Sequence, residues 1–398
     1  MANVSSSNGL EKRPKLRFPG FDEPWRAAQL GDLLIELSDY ATQESGFPLL
    51  TSSRQGLFVQ EDYFIDKQAN AETTVFSVLP YGCITYRHMS DDNIFHFNIN
   101  RLVANGLVSK EYPVFTVRKE VLDTDFLVDT LNSSPLFSVF CIQQKKGGTR
   151  TRLYFKTLCS YQMFLPVLHE QQVIASFIRL LDKRIERQME LVETLKKYKR
   201  GVNKQLLSQI DNSCNCRLGS VCEIVGGGTP DTLHTEYWGS SVEWFTPSEI
   251  GKTKYVSRSV RKLSDIGLNN SSAKLLPIGT VLLTTRATLG EMSIAKRECC
   301  TNQGFQSLIP HQDRALSEYL YYMQIIIKPW CEKYASGNTF REISKSALSN
   351  CIIPLPDRAR QEEIVKLLSS IDTLISAEEG IAMSLSKMRH SLMQQLFI

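Results

Sequence analysis

Apolar residues recur at alternating spacings of four and three between residues 174 and 206. Polar residues interrupt this repeat at Gln188 and Lys199, and its apolar members include Ile174, Ile178, Leu181, Ile185, Val192 and Leu195. Such a heptad pattern predicts a long α-helix whose apolar seam packs against a second helix. At 1.5 Å per residue the seam is about 48 Å long.

The same pattern returns 190 residues later, near the end of the sequence. Polar residues interrupt it at the equivalent positions, Glu378 and Arg389, and its apolar members include Ile364, Leu368, Ile371, Ile375, Leu385 and Leu392. Upstream, "QLGDLLIEL" from Gln29 resembles "RLGSVCEIV" from Arg217. A repeat that preserves its polar exceptions indicates duplication, although Glu170 in the first copy corresponds to Arg360 in the second.

Two helices that each expose a long apolar seam need partners, and each copy is the nearest partner of the other. The first helix joins the region before it to the region after it, and the second helix follows that later region. Antiparallel pairing of the helices would therefore hold the two regions at opposite ends. The predicted arrangement has pseudo-twofold symmetry. The alternative interpretation is that the seams belong to two ordinary core helices of a bundle.

The sequence therefore predicts an α+β fold, with two mixed α/β domains joined by two long antiparallel coiled-coil helices. Short β-rich runs bounded by Pro-Tyr-Gly and Pro-Ile-Gly turns, such as "TVFSVLPYGCITYRH" and "KLLPIGTVLLTTRATLGEMSIAK", support mixed domains. We expect a flexible leader at 1–17, a first domain at 18–165, a central helix at 166–212, a second domain at 213–355 and a C-terminal helix at 356–398.

Composition narrows the class of protein without identifying a partner. A chain of 398 residues is long enough for two or three domains, and its net charge of +4 is compatible with an anionic partner. The sequence lacks a signal peptide and a run of 18 or more apolar residues, which predicts a cytoplasmic protein with no membrane partner. The ten cysteines lack the usual zinc-site spacing and are expected to be reduced packing residues.

Several loops next to the predicted strands combine Arg with Thr, Gln, Asn or Ser. Arg offers a planar fork of donors, and the other side chains offer small polar groups, which are the groups that contact base edges and phosphates. Each loop taken singly favours an ordinary solvated surface over a DNA contact. The candidate DNA-contacting residues are Arg54, Gln55, Arg87, His88, Thr229, Thr246, Ser248, Arg286, Thr288, Asn302 and Gln303.

Several classes of catalytic site are missing from the sequence. No Asp-x-Lys or Glu-x-Lys occurs for a nuclease of the common metal-dependent type, and no Pro-Pro dipeptide occurs for an amino-methyltransferase loop. The three glycines before Thr229 lack the spacing of a nucleotide-binding loop, and the six histidines form no H-E-x-x-H motif. We therefore predict a non-catalytic chain with no catalytic, cofactor-binding or metal-binding residues of its own.

The duplicated phrases "LPVLHEQQVIASFIRLLDKRI" and "PLPDRARQEEIVKLLSSIDTLI", with "GGGTPDTLHTEYWGSSVEWFTPSEI" and "TTRATLGEMSIAKRECCTNQGF", resemble the specificity (S) subunits of type I restriction-modification systems. The resemblance implies two target-recognition domains, each reading one half of a bipartite double-stranded DNA sequence. It also implies two modification subunits that use S-adenosylmethionine for adenine-N6 methylation, and restriction subunits that use ATP and Mg²⁺. All of these cofactors would belong to partner subunits.

Two other functions remain open at the level of sequence. A coiled-coil adaptor with two protein-binding domains would show the same seams, and it would differ in lacking salt-dependent duplex binding. A stand-alone nuclease is disfavoured because the carboxylate-lysine spacing is absent.

Overall fold

The structure is a computed structural model that describes residues 11–60, 75–145, 147, 149–286, 288–337 and 341–397. The chain divides into two compact units. Unit 1 comprises residues 1–188 and 381–398, and unit 2 comprises residues 189–380. Both units mix helices and sheets, so the predicted α+β class is confirmed.

Two helices are far longer than the others: α4 has 41 residues and α9 has 39. Each of them contributes one segment to each unit. The α-helices of the described residues are α1 (Thr124–Ser133), α2 (Pro135–Gln143), α3 (Phe155–Cys159), α4 (Leu168–Ser208), α5 (Asp265–Asn269), α6 (Ser317–Tyr322), α7 (Gln324–Tyr334), α8 (Lys345–Ser349) and α9 (Arg358–Leu396).

Unit 1 contains small antiparallel sheets packed around an aromatic core. The strands are β1 (Glu11–Lys12), β2 (Trp25–Gln29), β3 (Leu34–Glu36), β4 (Tyr40–Ala41), β5 (Leu50–Ser53), β6 (Gly56–Val59), β7 (Phe76–Pro80), β8 (Ile84–Tyr86), β9 (Met89–Ser90), β10 (Phe97–Ile99), β11 (Asn105–Ser109), β12 (Val114–Val117), β13 (Thr151–Arg152) and β14 (Gln162–Leu165). The sheet orders are β1-β2-β14, β10-β8-β12-β3, β11-β7-β4, β13-β9 and β5-β6. Trp25, Tyr86, Phe97, Phe115 and Phe126 are fully buried among them.

Unit 2 contains a five-stranded sheet of order β16-β23-β20-β21-β18, with smaller sheets of order β19-β17-β22 and β15-β24. The β17–β22 and β18–β21 pairs are parallel and the other pairs are antiparallel. The strands are β15 (Asn215–Arg217), β16 (Cys222–Gly226), β17 (Trp238–Phe245), β18 (Tyr255–Val256), β19 (Arg261–Leu263), β20 (Val281–Leu283), β21 (Met292–Ala295), β22 (Cys299–Thr301), β23 (Gln306–Pro310) and β24 (Ile352–Pro354).

Every predicted seam residue is buried or half-buried in its own unit. In unit 1, Ile174 and Ile178 of α4 share a core with Met393 and Leu396 of α9. In unit 2, four residues of the second seam join the core around α6 and α7; they are Ile364, Leu368, Ile371 and Ile375. In each unit, seam residues therefore pack into a core that also contains residues of the sheets and shorter helices.

Two of the four polar exceptions in the seams, Lys199 and Arg389, form ion pairs between α4 and α9. Arg389 pairs with Asp182 in unit 1, with its second guanidinium nitrogen 3.0 Å from Asp182 Oδ2. Lys199 pairs with Asp372 at the equivalent place in unit 2. Since Lys196 also contacts Glu379 at 3.0 Å, the two segments of unit 2 run antiparallel.

The helix start is built in the same way in both units. Gln171 donates from Nε2 to the carbonyls of Pro166 and Val121, at 3.0 and 2.9 Å. Gln361 donates in the same way to the carbonyls of Pro356 and Arg314, both at 2.9 Å. The duplication read from the sequence therefore extends to individual buried hydrogen bonds.

The residue before this glutamine differs between the two copies. In unit 1 it contacts the segment that the sequence predicted to be a flexible leader. Glu170 is buried and accepts two hydrogen bonds from Arg17, whereas Arg360 forms an exposed pair with Glu363. Residues 11 and 12 also pair with β2 as β1. The prediction of a flexible leader up to residue 17 was therefore wrong from residue 11 onward, and residues 1–10 lie outside the described residues.

Candidate nucleic-acid interface

In unit 2 a tight turn at Pro247–Glu249 follows β17 and carries two of the predicted residues. Glu249 holds this turn closed, because its Oε2 accepts from the backbone N–H of Thr246 at 2.8 Å and from Thr246 Oγ1 at 2.7 Å. Its Oε1 accepts from the backbone N–H of Val260 at 2.7 Å. Ser248 is exposed, with its Oγ 3.1 Å from Thr246 Oγ1. Two hydroxyl groups are thus presented on a fixed backbone.

Four further predicted residues lie around the same turn. Thr288 Oγ1 is 3.5 Å from the carbonyl oxygen of Pro247, and the backbone N–H of Asn302 donates to the carbonyl of Phe245 at 3.1 Å. Gln303 is exposed and is hydrogen-bonded to Thr229. The structure therefore gathers Thr229, Thr246, Ser248, Thr288, Asn302 and Gln303 into one polar surface, here called the unit 2 cluster.

The glycines before Thr229 have a structural role beside this cluster. A Cβ atom on Gly227 would lie 2.0 Å from the carbonyl oxygen of Asn302, and the backbone N–H of Gly228 donates to the carbonyl of Thr301 at 2.9 Å. Only a residue without a side chain lets the two chain segments approach this closely. The glycines therefore bring Thr229 against Gln303.

Arg286 is a predicted DNA-contacting residue of unit 2 that forms an ion pair within the chain. Its guanidinium lies 2.8 Å from the carboxylate of Glu342, 56 residues away in sequence. The side chain is still 44% exposed, so the pair lies at the surface and costs little to open.

In unit 1 the predicted residues gather around the turn that follows β9. Arg54 and Gln55 form the tip of the β5–β6 hairpin, and Arg54 forms an ion pair with Asp92. Hydrogen bonds from Arg54, Ser90 and the backbone of Ile94 lower the pKa of Asp92, with Arg54 the largest contribution. Arg87 is exposed beside the same turn.

The prediction of His88 as a surface contact needs correction. His88 is 6% exposed, and its ring stacks on Tyr154 at a centroid distance of 5.7 Å. Burial lowers the pKa of His88, and Arg152 and Arg87 lower it further. His88 is therefore covered by its neighbours and is not exposed as a surface contact.

Sequence reasoning missed two basic residues at this turn. Arg150 lies 2.8 Å from Asp91, and Arg152 belongs to β13, which pairs with β9. Both arginines follow a stretch with no strand-like pattern, so their proximity to residues 87–92 depends on long-range strand pairing. With Arg54 and Arg87 they make four arginines around one turn, here called the unit 1 cluster.

Among the described residues, no helix is both long and apolar enough to cross a membrane. The described residues also contain no group of three or more His, Cys, Asp or Glu side chains placed to bind a metal ion. All ten cysteines are free thiols.

Comparison with known proteins places these features in a family. The model of the type I restriction modification DNA specificity domain matches residues 107–197 and 210–387, one match for each copy of the repeat. Among curated proteins, the chain is 35% identical over 186 residues to the type I restriction enzyme MjaIX specificity subunit of Methanocaldococcus jannaschii, covering 46% of this chain and 43% of that protein. It is 28% identical over 222 residues to the EcoR124I/EcoR124II specificity subunit of Escherichia coli, covering 52% and 54%.

The alignments thus span about half the length of these curated relatives. Two solved structures share the fold over nearly the whole chain. One is from a study of complex assembly and conformational transition of the type I R-M system, with a TM-score of 0.60, 18% identity, and coverage of 96% of this chain and 99% of that one. The other is the type I restriction-modification S subunit from M. genitalium, with a TM-score of 0.54, 16% identity, and coverage of 97% and 99%. Because the family model matches well over half of the sequence in two segments, the chain belongs to the type I restriction modification DNA specificity domain family.

Proposed function

We propose that this chain is the DNA specificity subunit of a type I restriction-modification complex. The observation that carries the proposal is that two copies of one framework, each with the same glutamine at its helix start, bear different polar clusters. Duplicated frameworks with different surfaces suit a bipartite, asymmetric target. The unit 1 cluster would read one half of a DNA duplex and the unit 2 cluster the other half.

The two clusters offer different chemical groups for contacting a DNA duplex. The unit 1 cluster is rich in arginine, which contacts guanine edges and phosphates through its planar fork. The unit 2 cluster presents hydroxyl and amide groups on a rigid turn, which suits hydrogen bonding to base edges. The chain itself would be non-catalytic and cytoplasmic, and would use double-stranded DNA as its ligand.

Selection of duplexes from a random library by the chain and its modification subunit tests this proposal. We expect enrichment of a two-part sequence and a steep fall in affinity with salt, since each neutralised phosphate adds about 0.9 to the slope of log K against log salt. Scrambling one half of the selected sequence should weaken binding at least about 1,000-fold. Lack of enrichment, or binding independent of salt, would favour a protein adaptor.

A stripe of exposed apolar residues on α9 suits the docking of modification subunits. Leu367, Leu374, Ile381 and Met388 recur every seven residues, outside the buried seam, and all are exposed. In unit 2, α4 exposes Leu191 and Tyr198 with the same spacing. Since exposed apolar positions at heptad spacing fit a partner helix, we infer that two modification subunits bind there through helices.

Substitution of one stripe residue tests this docking surface. Leu374→Glu should weaken binding of the modification subunit at least about tenfold, because the complex would bury an unpaired carboxylate. Thr373→Glu is the matched control, as Thr373 is exposed on the side of α9 opposite the seam. Calorimetric titration measures both affinities, with thermal unfolding as a check of stability. Equal affinities for the two variants would contradict the assignment of the stripe.

The cofactors of the proposed complex would belong to the partner subunits. Modification subunits would supply S-adenosylmethionine and methylate adenine at N6, and restriction subunits would supply ATP and Mg²⁺ chemistry. The role of this chain would be to hold both kinds of subunit on a chosen duplex.

A further inference from the structure

Unit 2 contains a cavity of about 690 Å³ that is bordered by α4, α7, α9 and the loop at residues 252–254. Six basic and four acidic side chains line the cavity, which leaves an excess of two positive charges. Tyr321 and Tyr322 form part of its wall. Neither cluster described above includes any of the residues that line it.

Three of the basic residues are neutralised by neighbouring carboxylates. Lys196 lies 3.0 Å from Glu379, Lys328 lies 2.6 Å from Glu291, and Lys199 pairs with Asp372. These pairs connect the elements around the cavity, and they account for three of the four acidic residues.

The other three cations have no carboxylate within ion-pair distance among the described residues. Arg200 and Lys252 are exposed at the cavity. Lys254 is half-buried, and its ammonium donates to the neutral hydroxyls of Tyr322 at 2.8 Å and Ser369 at 2.9 Å. Burial lowers the pKa of Lys254, while Asp372 and Glu318 act in the opposite direction. A half-buried ammonium with neutral partners is stabilised by an anion.

The cavity also contains an acceptor that lacks a partner. Asn203 is 7% exposed and donates from Nδ2 to the carbonyl of Tyr322 at 2.9 Å. Its Oδ1 is buried and has no hydrogen-bond partner among the described residues.

The cavity adjoins the unit 2 cluster through two short connections. Lys252 follows Glu249, which closes the turn of Thr246 and Ser248, by only three residues. On the other side, Gln324 of α7 donates to the carbonyl of Gly290 at 3.1 Å and to Glu291 at 3.0 Å, and these residues end the loop that carries Thr288. A ligand of the cluster that extends past the turn would therefore reach the cavity.

The geometry points to a phosphate site in this cavity, formed by Arg200, Lys252 and Lys254. Resting on the proposed function, the phosphate belongs to the DNA backbone beside the half of the target that unit 2 reads. A guanidinium fork and two ammonium groups without carboxylate partners are suited to phosphate oxygens.

The double variant Arg200→Gln/Lys252→Gln tests the site in the full chain with its modification subunit. Backbone contacts carry no sequence information, so the variant should bind the cognate duplex and a duplex with a scrambled unit 2 half more weakly by the same factor, about tenfold. The slope of log K against log salt should fall by about 1 to 2. Arg217→Gln/Lys345→Gln is the matched control, since both residues are exposed in unit 2 and lie outside the cavity.

An unchanged slope in the cavity variant would overturn the phosphate site, as would a changed preference between the two duplexes. Absence of duplex binding by the unsubstituted chain would instead contradict the proposed function. In that case thermal unfolding with added inorganic phosphate at constant ionic strength decides the site. Stabilisation that the double variant loses would support it, and equal curves for both proteins would overturn it.

Discussion

Arg17→Ala is expected to destabilise unit 1 by about 3–5 kcal/mol, the cost of leaving a buried charge without its partner. Arg17 donates from Nε and Nη2 to the two carboxylate oxygens of Glu170, each at 2.7 Å. The Glu170 side chain is 0% exposed, and among the described residues it also accepts a 3.4 Å hydrogen bond from Trp25 Nε1. Removal of the guanidinium would leave the carboxylate in an apolar environment next to Trp25.

Urea unfolding monitored by circular dichroism measures this cost, with Arg360→Ala as the matched control. Arg360 is the equivalent of Glu170 in the second copy, and its exposed pair with Glu363 is worth less than about 1 kcal/mol. The double variant Arg17→Met/Glu170→Leu should recover most of the lost stability, because it removes both charges. A loss for Arg17→Ala no larger than that for Arg360→Ala would contradict the importance of the buried pair.

The helices and the α+β class could be predicted from sequence because both depend on local periodicity. The seam positions fall at heptad spacing, and the structure buries or half-buries them as the pattern requires. Two of the four polar exceptions follow the repeat in the same way: Lys199 and Arg389 occupy equivalent positions and pair with the equivalent residues Asp372 and Asp182. Because the chain contains an internal repeat, the same heptad pattern and polar positions can be compared in two copies, which strengthens a prediction that one copy alone would support only weakly.

Side-chain partners far apart in sequence were not predictable in this way. No spacing rule connects Arg17 to Glu170 or Arg286 to Glu342, so the extent of the leader was wrong and the pairing of Arg286 was missed. His88 follows an exposed arginine, yet β13 and Tyr154 cover it. Loop residues could be placed near strand ends, but which of them meet depends on the tertiary fold.

Replacement of residues 213–355 by the corresponding domain of another family member is expected to change one half of the DNA target completely. The residues of the unit 2 cluster are all within this segment, whereas those of the unit 1 cluster lie between residues 54 and 152. The helical regions 166–212 and 356–398 should be retained, since Leu368 and Ile371 pack into the core of unit 2. The graft must therefore preserve the apolar residues that face them.

The reciprocal replacement, of residues 18–165, is the matched control and should change the other half alone. Both chimaeras keep the exposed stripe of α9, so binding of the modification subunit should be unaffected. Retained binding of that subunit would show that a changed target does not result from a misfolded chain.

Mapping of methylated adenines in the DNA of a host that carries the chain with its modification subunits tests the central claim most directly. For the chimaera replaced at residues 213–355, we predict a two-part methylated sequence in which one half is unchanged and the other is new. Methylation of a sequence altered in both halves, or of the original sequence, would contradict the assignment of one half of the target to each unit.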